Sequence, residues 1–122
     1  MIVFDTGALV AIERRKQRML EVWTAARGAG RPILVPSVVV AEWWRGRTDR
    51  REAILGALQV VAVDARLGVA AGEAMAAIAG STVVDALVMA LAAMRNAVVY
   101  TSDVDDLEAL RSFYPGVRVL AT

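Results

Sequence analysis

Five carboxylates stand at positions where a carboxylate needs a reason. Asp5 ends the apolar run Ile2–Phe4, and Asp103 and Asp106 follow the apolar run Ala97–Tyr100. Glu42 lies in SVVVAEWW and Asp85 in STVVDALVMALAAM, both surrounded by apolar neighbours. An ionised carboxylate in such surroundings is costly unless something compensates it. Brought into one cleft, these groups would repel and raise one another's pKa. A divalent cation would resolve the conflict, and oxygen donors without nitrogen or sulfur suit Mg²⁺ or Mn²⁺. Such an ion lowers the pKa of a bound water and stabilises charge building on a phosphoryl oxygen.

Each acid also has a plainer explanation. Asp5 in Asp-Thr-Gly is good turn and N-cap chemistry. Glu42 could pair with Arg45 or Arg47 on an exposed helix edge. Thr82-x-x-Asp85 has the shape of a capping box, and Asp103 with Asp106 could cap the last helix. On that helix a spacing of three puts Asp103 and Asp106 on one side, while Asp105 points elsewhere.

Composition narrows the chemistry. The 122 residues contain no cysteine and no histidine. Disulfides, zinc–thiolate sites, thiol nucleophiles, a Ser-His-Asp triad and histidine-based acid–base chemistry are therefore excluded. What remains is carboxylates, hydroxyls, arginines, the single lysine Lys16, or a metal on oxygen ligands. The formal net charge of +1 gives no overall pull toward nucleic acid or membrane. Two basic clusters, Arg14, Arg15, Lys16, Arg18 and Arg45, Arg47, Arg50, Arg51, nonetheless make local basic surfaces. The opening residues do not read as a secretory signal, and no apolar stretch is long enough to span a bilayer. The expectation is a cytoplasmic protein without membrane contact.

The elements that must position these acids are short. Near-continuous apolar runs at Ile2–Phe4, Ile33–Val35, Val60–Val63, Ala97–Tyr100 and Val117–Leu120 read as parallel strands covered on both faces. Helical patterns fall at Ala8–Arg14, Arg18–Ala26, Ser37–Arg45, Arg50–Leu58, Arg66–Ala79, Val83–Arg95 and Val104–Ser112. With hydrophobic residues at 57% and no linker or repeat, residues 1–122 are expected to form one three-layer α/β/α domain around a mainly parallel five-stranded sheet. In such a sheet ligands gather beyond the carboxyl ends of the strands, where Asp5 and Asp103 fall.

Taken in order, IVFDTGALVAI, VPSVVVAEWWRG, STVVDALVMALA and VVYTSDVDDL resemble the four acidic motifs of the PIN-domain family. Within that family the chain is similar to the VapC-type toxins of bacterial toxin–antitoxin pairs, over essentially its whole length. The resemblance implies Mg²⁺- or Mn²⁺-dependent cleavage of RNA by in-line attack of water, leaving 5′-phosphate and 3′-hydroxyl ends. It implies that Asp5, Glu42, Asp85 and Asp103 form the catalytic acidic site, with Asp5, Asp85, Asp103 and Asp106 at the metal. Thr6 and Thr101 would orient these groups from behind. It further implies a homodimer and a VapB-like antitoxin whose amphipathic segment docks near the site. The RNA target could be tRNA, rRNA or mRNA.

An acidic pocket repels RNA, so flanking positive charge is needed. Arg45 stands one helical turn from Glu42, and Arg47 follows it, which makes both candidate RNA contacts. Arg50 and Arg51, with Arg14, Arg15 and Arg18, would extend those walls. Adjacent tryptophans Trp43 and Trp44 point about 100° apart on a helix, so one is expected in the core and the other toward a groove or dimer interface. Trp23, Met19 and Leu20 would extend that apolar surface. Three other classes compete. An RNA-processing PIN nuclease without an antitoxin would lack a small adjacent reading frame. A non-catalytic PIN-like binding module would bind no Mn²⁺. A phosphoacceptor receiver domain would want a lysine at a late strand end, and Lys16 is not there.

Overall fold

The computed structural model describes residues 1–122. Strands and helices alternate as β1 (Ile2–Phe4), α1 (Thr6–Glu13), α2 (Gln17–Gly28), β2 (Ile33–Pro36), α3 (Ser37–Trp43) and α4 (Asp49–Ala57). Then come β3 (Gln59–Val61), α5 (Ala65–Ala77), α6 (Val83–Arg95), β4 (Val98–Thr101), α7 (Val104–Leu110) and β5 (Val119–Ala121). The expected five strands and seven helices are all present. The sheet runs in the order β3-β2-β1-β4-β5 and every pairing is parallel. β1 is central, with Ile2 opposite Ile33 on one side and Val98 on the other. The chain leaves β1 toward β2 and returns to its other flank at β4, so the order reverses between β1 and β4. That reversal opens a crevice at the carboxyl ends of these two strands.

Short-range chemistry starts the helices. Asp5, Thr48, Asp64 and Thr82 each accept a backbone N–H three residues ahead, capping α1, α4, α5 and α6. Asn96 in the left-handed conformation ends α6. The core lies where α6 packs on β1, β2 and β4, and residues Ala86–Ala92 are buried without interruption. No helix of the chain is long and apolar enough to cross a membrane.

Boundaries moved where a cap or turn intervened. β3 covers Gln59–Val61 rather than Val60–Val63, because Asp64 caps α5 and draws the preceding residues out of the ladder. β5 covers Val119–Ala121 rather than Val117–Leu120; Val117 is buried, but as part of the turn entering the strand. α3 stops at Trp43, short of Arg45. Trp43 is in the core at 3% exposure, and Trp44 is half-buried against it, edge to face at 5.9 Å. Met19 is fully buried in the core, Trp23 is half-buried and packs on the core beside Phe4 at 6.4 Å, and Leu20 is half-buried at the groove beside it.

The second basic cluster divides. Arg50 turns inward and donates to the terminal carbonyls of α1, at 2.6 Å to Ile12 and 2.8 Å to Glu13. Arg51 grips the Glu13 carboxylate at 2.7 and 3.2 Å and reaches the Gly46 carbonyl. Arg50 thus meets carbonyls of the last turn of α1, and Arg51 makes a charge-assisted pair with Glu13. Arg51 thereby holds the Glu13 carboxyl below its ordinary range.

Candidate active site

The crevice is lined by carboxylates. β1 ends at Phe4, and the Asp5 amide donates to the Tyr100 carbonyl, zipping the end of β1 onto β4. The Asp5 carboxylate is buried at 5% exposure. Its Oδ1 accepts from the Ala8 amide at 2.8 Å, and its Oδ2 accepts from the Thr101 hydroxyl. Each oxygen retains a lone pair. So the capping role and a site role coexist in one side chain. Burial pushes the Asp5 carboxyl above its ordinary value of 3.8, the hydrogen bonds from Thr101 and Ala8 oppose this, and the like charges of Asp103 and Asp85 add to the rise.

Thr101, fully buried at the end of β4, is the hinge of the arrangement. Its hydroxyl donates to Asp5 and accepts from the Asp103 amide at 2.8 Å. Asp103 occupies the N-cap position of α7, yet its side chain makes no capping bond and is left for the crevice. From the other side, the Thr6 hydroxyl donates to Glu42 Oε1 at 2.6 Å, joining α1 to α3. Glu42 is therefore held by Thr6, and neither arginine pairs with it: Arg45 donates to the Glu42 backbone carbonyl, and Arg47 pairs with Asp49 and Glu52. Asp85 sits in the first turn of α6. Burial raises its carboxyl, the Thr82 hydroxyl opposes this, and Asp106, Asp103 and Glu42 raise it further by like charge.

Asp5, Glu42, Asp85, Asp103 and Asp106 all line one cleft of about 300 Å³. Thr6 and Thr82 line it too, and Asp105 does not. Thr101 lies behind the cleft and Arg45 and Arg47 outside it. As they stand, no three of the carboxylates are close enough together to grip one ion. The donor set nevertheless fits a hard divalent cation: it is all oxygen, multiply negative, and includes an uncapped carboxylate at Asp103 and two carboxyls whose pKa is raised. From the sequence Thr82 reads only as a cap for Asp85; the signal that could have found it is that same spacing of three, which places it beside Asp85 in the cleft wall.

Gly7 was also missed. A Cβ at this position would stand 2.7 Å from Ser102 Cβ and 3.4 Å from the Ser102 amide nitrogen. The start of α1 thus touches the turn that delivers Asp103. Gly7→Ala is expected to push that turn outward, costing about 1–3 kcal/mol by overpacking. Thermal melts would read the loss, and adding Ser102→Gly should restore most of it, because the two changes share one contact.

A fully parallel sheet with a histidine-free acidic cleft at its switch point defines an α/β protein whose polar chemistry is concentrated on carboxylates. The chain belongs to the PIN domain family, whose sequence model matches residues 2–111. No curated protein sequence is a match. Among solved structures, VapBC2 from Rickettsia felis bound to a promoter DNA fragment is similar over 100% of this chain and 99% of its own, with TM-score 0.80 at 17% identity. DNA-bound VapBC from Salmonella typhimurium is similar over 98% and 96%, with TM-score 0.77 at 19% identity. A toxin–antitoxin complex from Klebsiella pneumoniae is similar over 96% and 95%, with TM-score 0.71 at 14% identity. These likenesses establish a shared fold.

Proposed function

We propose that the chain is a metal-dependent endoribonuclease, the toxin of a toxin–antitoxin pair, acting through the acidic cleft in a single domain. The gathering of five carboxylates in one cleft, without histidine or cysteine, carries this reading. Asp5, Asp85, Asp103 and Asp106 would hold Mg²⁺ or Mn²⁺, and Glu42 would complete the acidic wall. The ion, when bound, supplies a water of lowered pKa and a positive charge beside the phosphoryl group. The chain's own residues do the rest. Thr101 sets the direction of Asp5 and Asp103 together, and Thr6 holds Glu42 toward the same space. The buried floor around Asp5 keeps bulk water from screening the site.

RNA would approach from the side of α3, where Arg45 is exposed next to Glu42. Arg47 would contribute less, since Asp49 and Glu52 share its charge. The partner is expected near the site, but the apolar groove that suits it lies apart from the cleft: about 580 Å³ between α1, α2 and α4, it presents Leu20, Trp23 and Ile54, with Arg15 and Arg27 also lining it. Arg27 lies over the Trp23 ring at 5.9 Å. An amphipathic segment carrying acidic residues would suit it. This groove shares no lining residue with the acidic cleft. The similar structure from Klebsiella pneumoniae is a toxin–antitoxin complex, which supports such a partner here. A homodimer and a cytoplasmic location complete the reading.

Cleavage of total RNA with end mapping tests it. Activity should require Mn²⁺ or Mg²⁺ and leave 5′-phosphates. Asp103→Asn should abolish cleavage, Asp106→Asn should weaken it by about tenfold or more, and Asp105→Asn should match the wild type. Full activity in excess chelator, or 2′,3′-cyclic phosphate ends, would overturn the mechanism.

A further inference from the structure

We propose that Lys16 and Arg18 are positioning residues for the acidic cleft: by holding the end of β5 they fix Thr101, from which Asp5 and Asp103 both take their direction. Lys16 Nζ donates to the Thr122 backbone oxygen at 2.8 Å, and Arg18 Nε donates to the Ala121 carbonyl at 3.2 Å. These acceptors lie at the end of an edge strand only three residues long. Such an end frays unless something holds it, because its outer carbonyls have no ladder partner.

What the clamp holds matters. The last rung between β4 and β5 is the Thr122 amide donating to the Thr101 carbonyl at 3.1 Å. Thr101 thus carries that rung on its carbonyl and, on its side chain, the hydroxyl that donates to Asp5 and accepts from the Asp103 amide. Loss of the rung frees the Thr101 carbonyl and with it the torsion that aims the Asp103 turn.

The clamp is also anchored at its base. Arg15 takes a positive φ of 58° in the turn after α1, and the Lys16 amide donates to Ala11 at 2.9 Å. Lys16 therefore stands in the turn just beyond the far end of α1, bonded back to it, while the near end of α1 carries Asp5 and Thr6. α1 is tied to the β4–β5 pair twice, through Asp5–Thr101 at one end and Lys16–Thr122 at the other. Two ties fix a rigid helix in direction as well as in place, which one tie cannot do. Arg18 thereby loses its expected place in a free cationic wall for RNA.

The kinetic arm of the test rests on the proposed nuclease reading; the exchange arm does not. The Lys16→Met/Arg18→Met double variant is compared with wild type and with Lys16→Arg. In metal-free protein, amide exchange at Asp103 should quicken about tenfold in the double variant while Val99, deep in the sheet, stays protected. Mn²⁺ affinity by calorimetry should fall about tenfold, as for other groups that orient metal ligands. The RNA-cleavage kcat should fall with KM unchanged, and Lys16→Arg should keep wild-type values. Equal acceleration at Asp103 and Val99 would mean general loosening and overturn the proposal. So would unchanged exchange at Asp103, or a rise in KM alone, which would make these residues RNA contacts. If the wild type neither binds Mn²⁺ nor cleaves RNA, the nuclease reading falls, and the Asp103-to-Val99 exchange ratio still decides the clamp.

Discussion

Asp5→Asn should yield a protein that is inactive and more stable than the wild type. Asparagine keeps the shape: its carbonyl can accept from the Ala8 amide, and its NH₂ can donate to the Thr101 hydroxyl oxygen. What disappears is a negative charge, buried at 5% exposure and facing like charges on Asp103 and Asp85. Cleavage should fall about a thousandfold or more, since a metal-held water and charge stabilisation supply several kcal/mol at about 1.4 kcal/mol per tenfold. Stability moves the other way, and pH shows why. The Asp5 carboxyl ionises above its ordinary value of 3.8 in the folded chain, so the folded chain holds the proton longer than the unfolded one. The stability this lends is complete below about 3.8 and is lost as pH rises through the raised value. At neutral pH the wild type carries the full cost and the variant does not. Melting curves should separate at pH 7 and converge near pH 3.5. Mn²⁺ should raise the wild-type melting temperature and leave the variant's nearly unmoved. A variant less stable than wild type at pH 7, in the absence of metal, would contradict this account of Asp5.

Thr101→Val removes the partner at the other end of the same hydrogen bond and should give the opposite change in stability. The methyl fills the hydroxyl's space, so packing is kept. Asp5 Oδ2 and the Asp103 amide both lose their partner. A buried group left unsatisfied costs about 1–3 kcal/mol, and the Asp5 carboxyl should titrate higher still, because the Thr101 hydroxyl is what opposes burial most. Cleavage should drop about ten- to a hundredfold, the range for groups that orient metal ligands. Urea unfolding at pH 7 reads the stability, and Thr101→Ser should recover most of both losses. In the Asp5→Asn background the penalty should shrink, since no charge is then left uncompensated. A Thr101→Val protein as stable and active as wild type would show that the hydroxyl orients nothing.

How far these features were legible before the fold was known depended on how far apart their parts lie in the chain. The strands announced themselves because apolar, β-branched runs have few uses other than a doubly covered sheet. The acids were visible because Glu42 and Asp85 interrupt apolar surroundings. Caps were legible too, being three-residue chemistry, although Asp5 and Thr82 turned out to cap and to face the cleft at once. Arg50 and Arg51 were misread as RNA-facing because their partners, Ile12 and Glu13, lie 37 or 38 residues away. A charge run looks the same whether it meets solvent or another helix's carbonyls. The contact of Gly7 with Ser102 and the grip of Lys16 on Thr122 were hidden for the same reason.

The hydrogen bond from Thr101 to Asp5 spans 96 residues of chain, and that separation has a consequence for biosynthesis. The central strand β1 emerges from the ribosome first and waits with one flank open until β4 is made. At about 5–20 residues per second, roughly 5–20 seconds pass between the appearance of Asp5 and of Asp103. During that interval the nascent chain has its first acids but no assembled cleft. On the proposed nuclease reading, such a chain would stay inert while it is being translated and would become able to cleave RNA only after β4 and β5 dock.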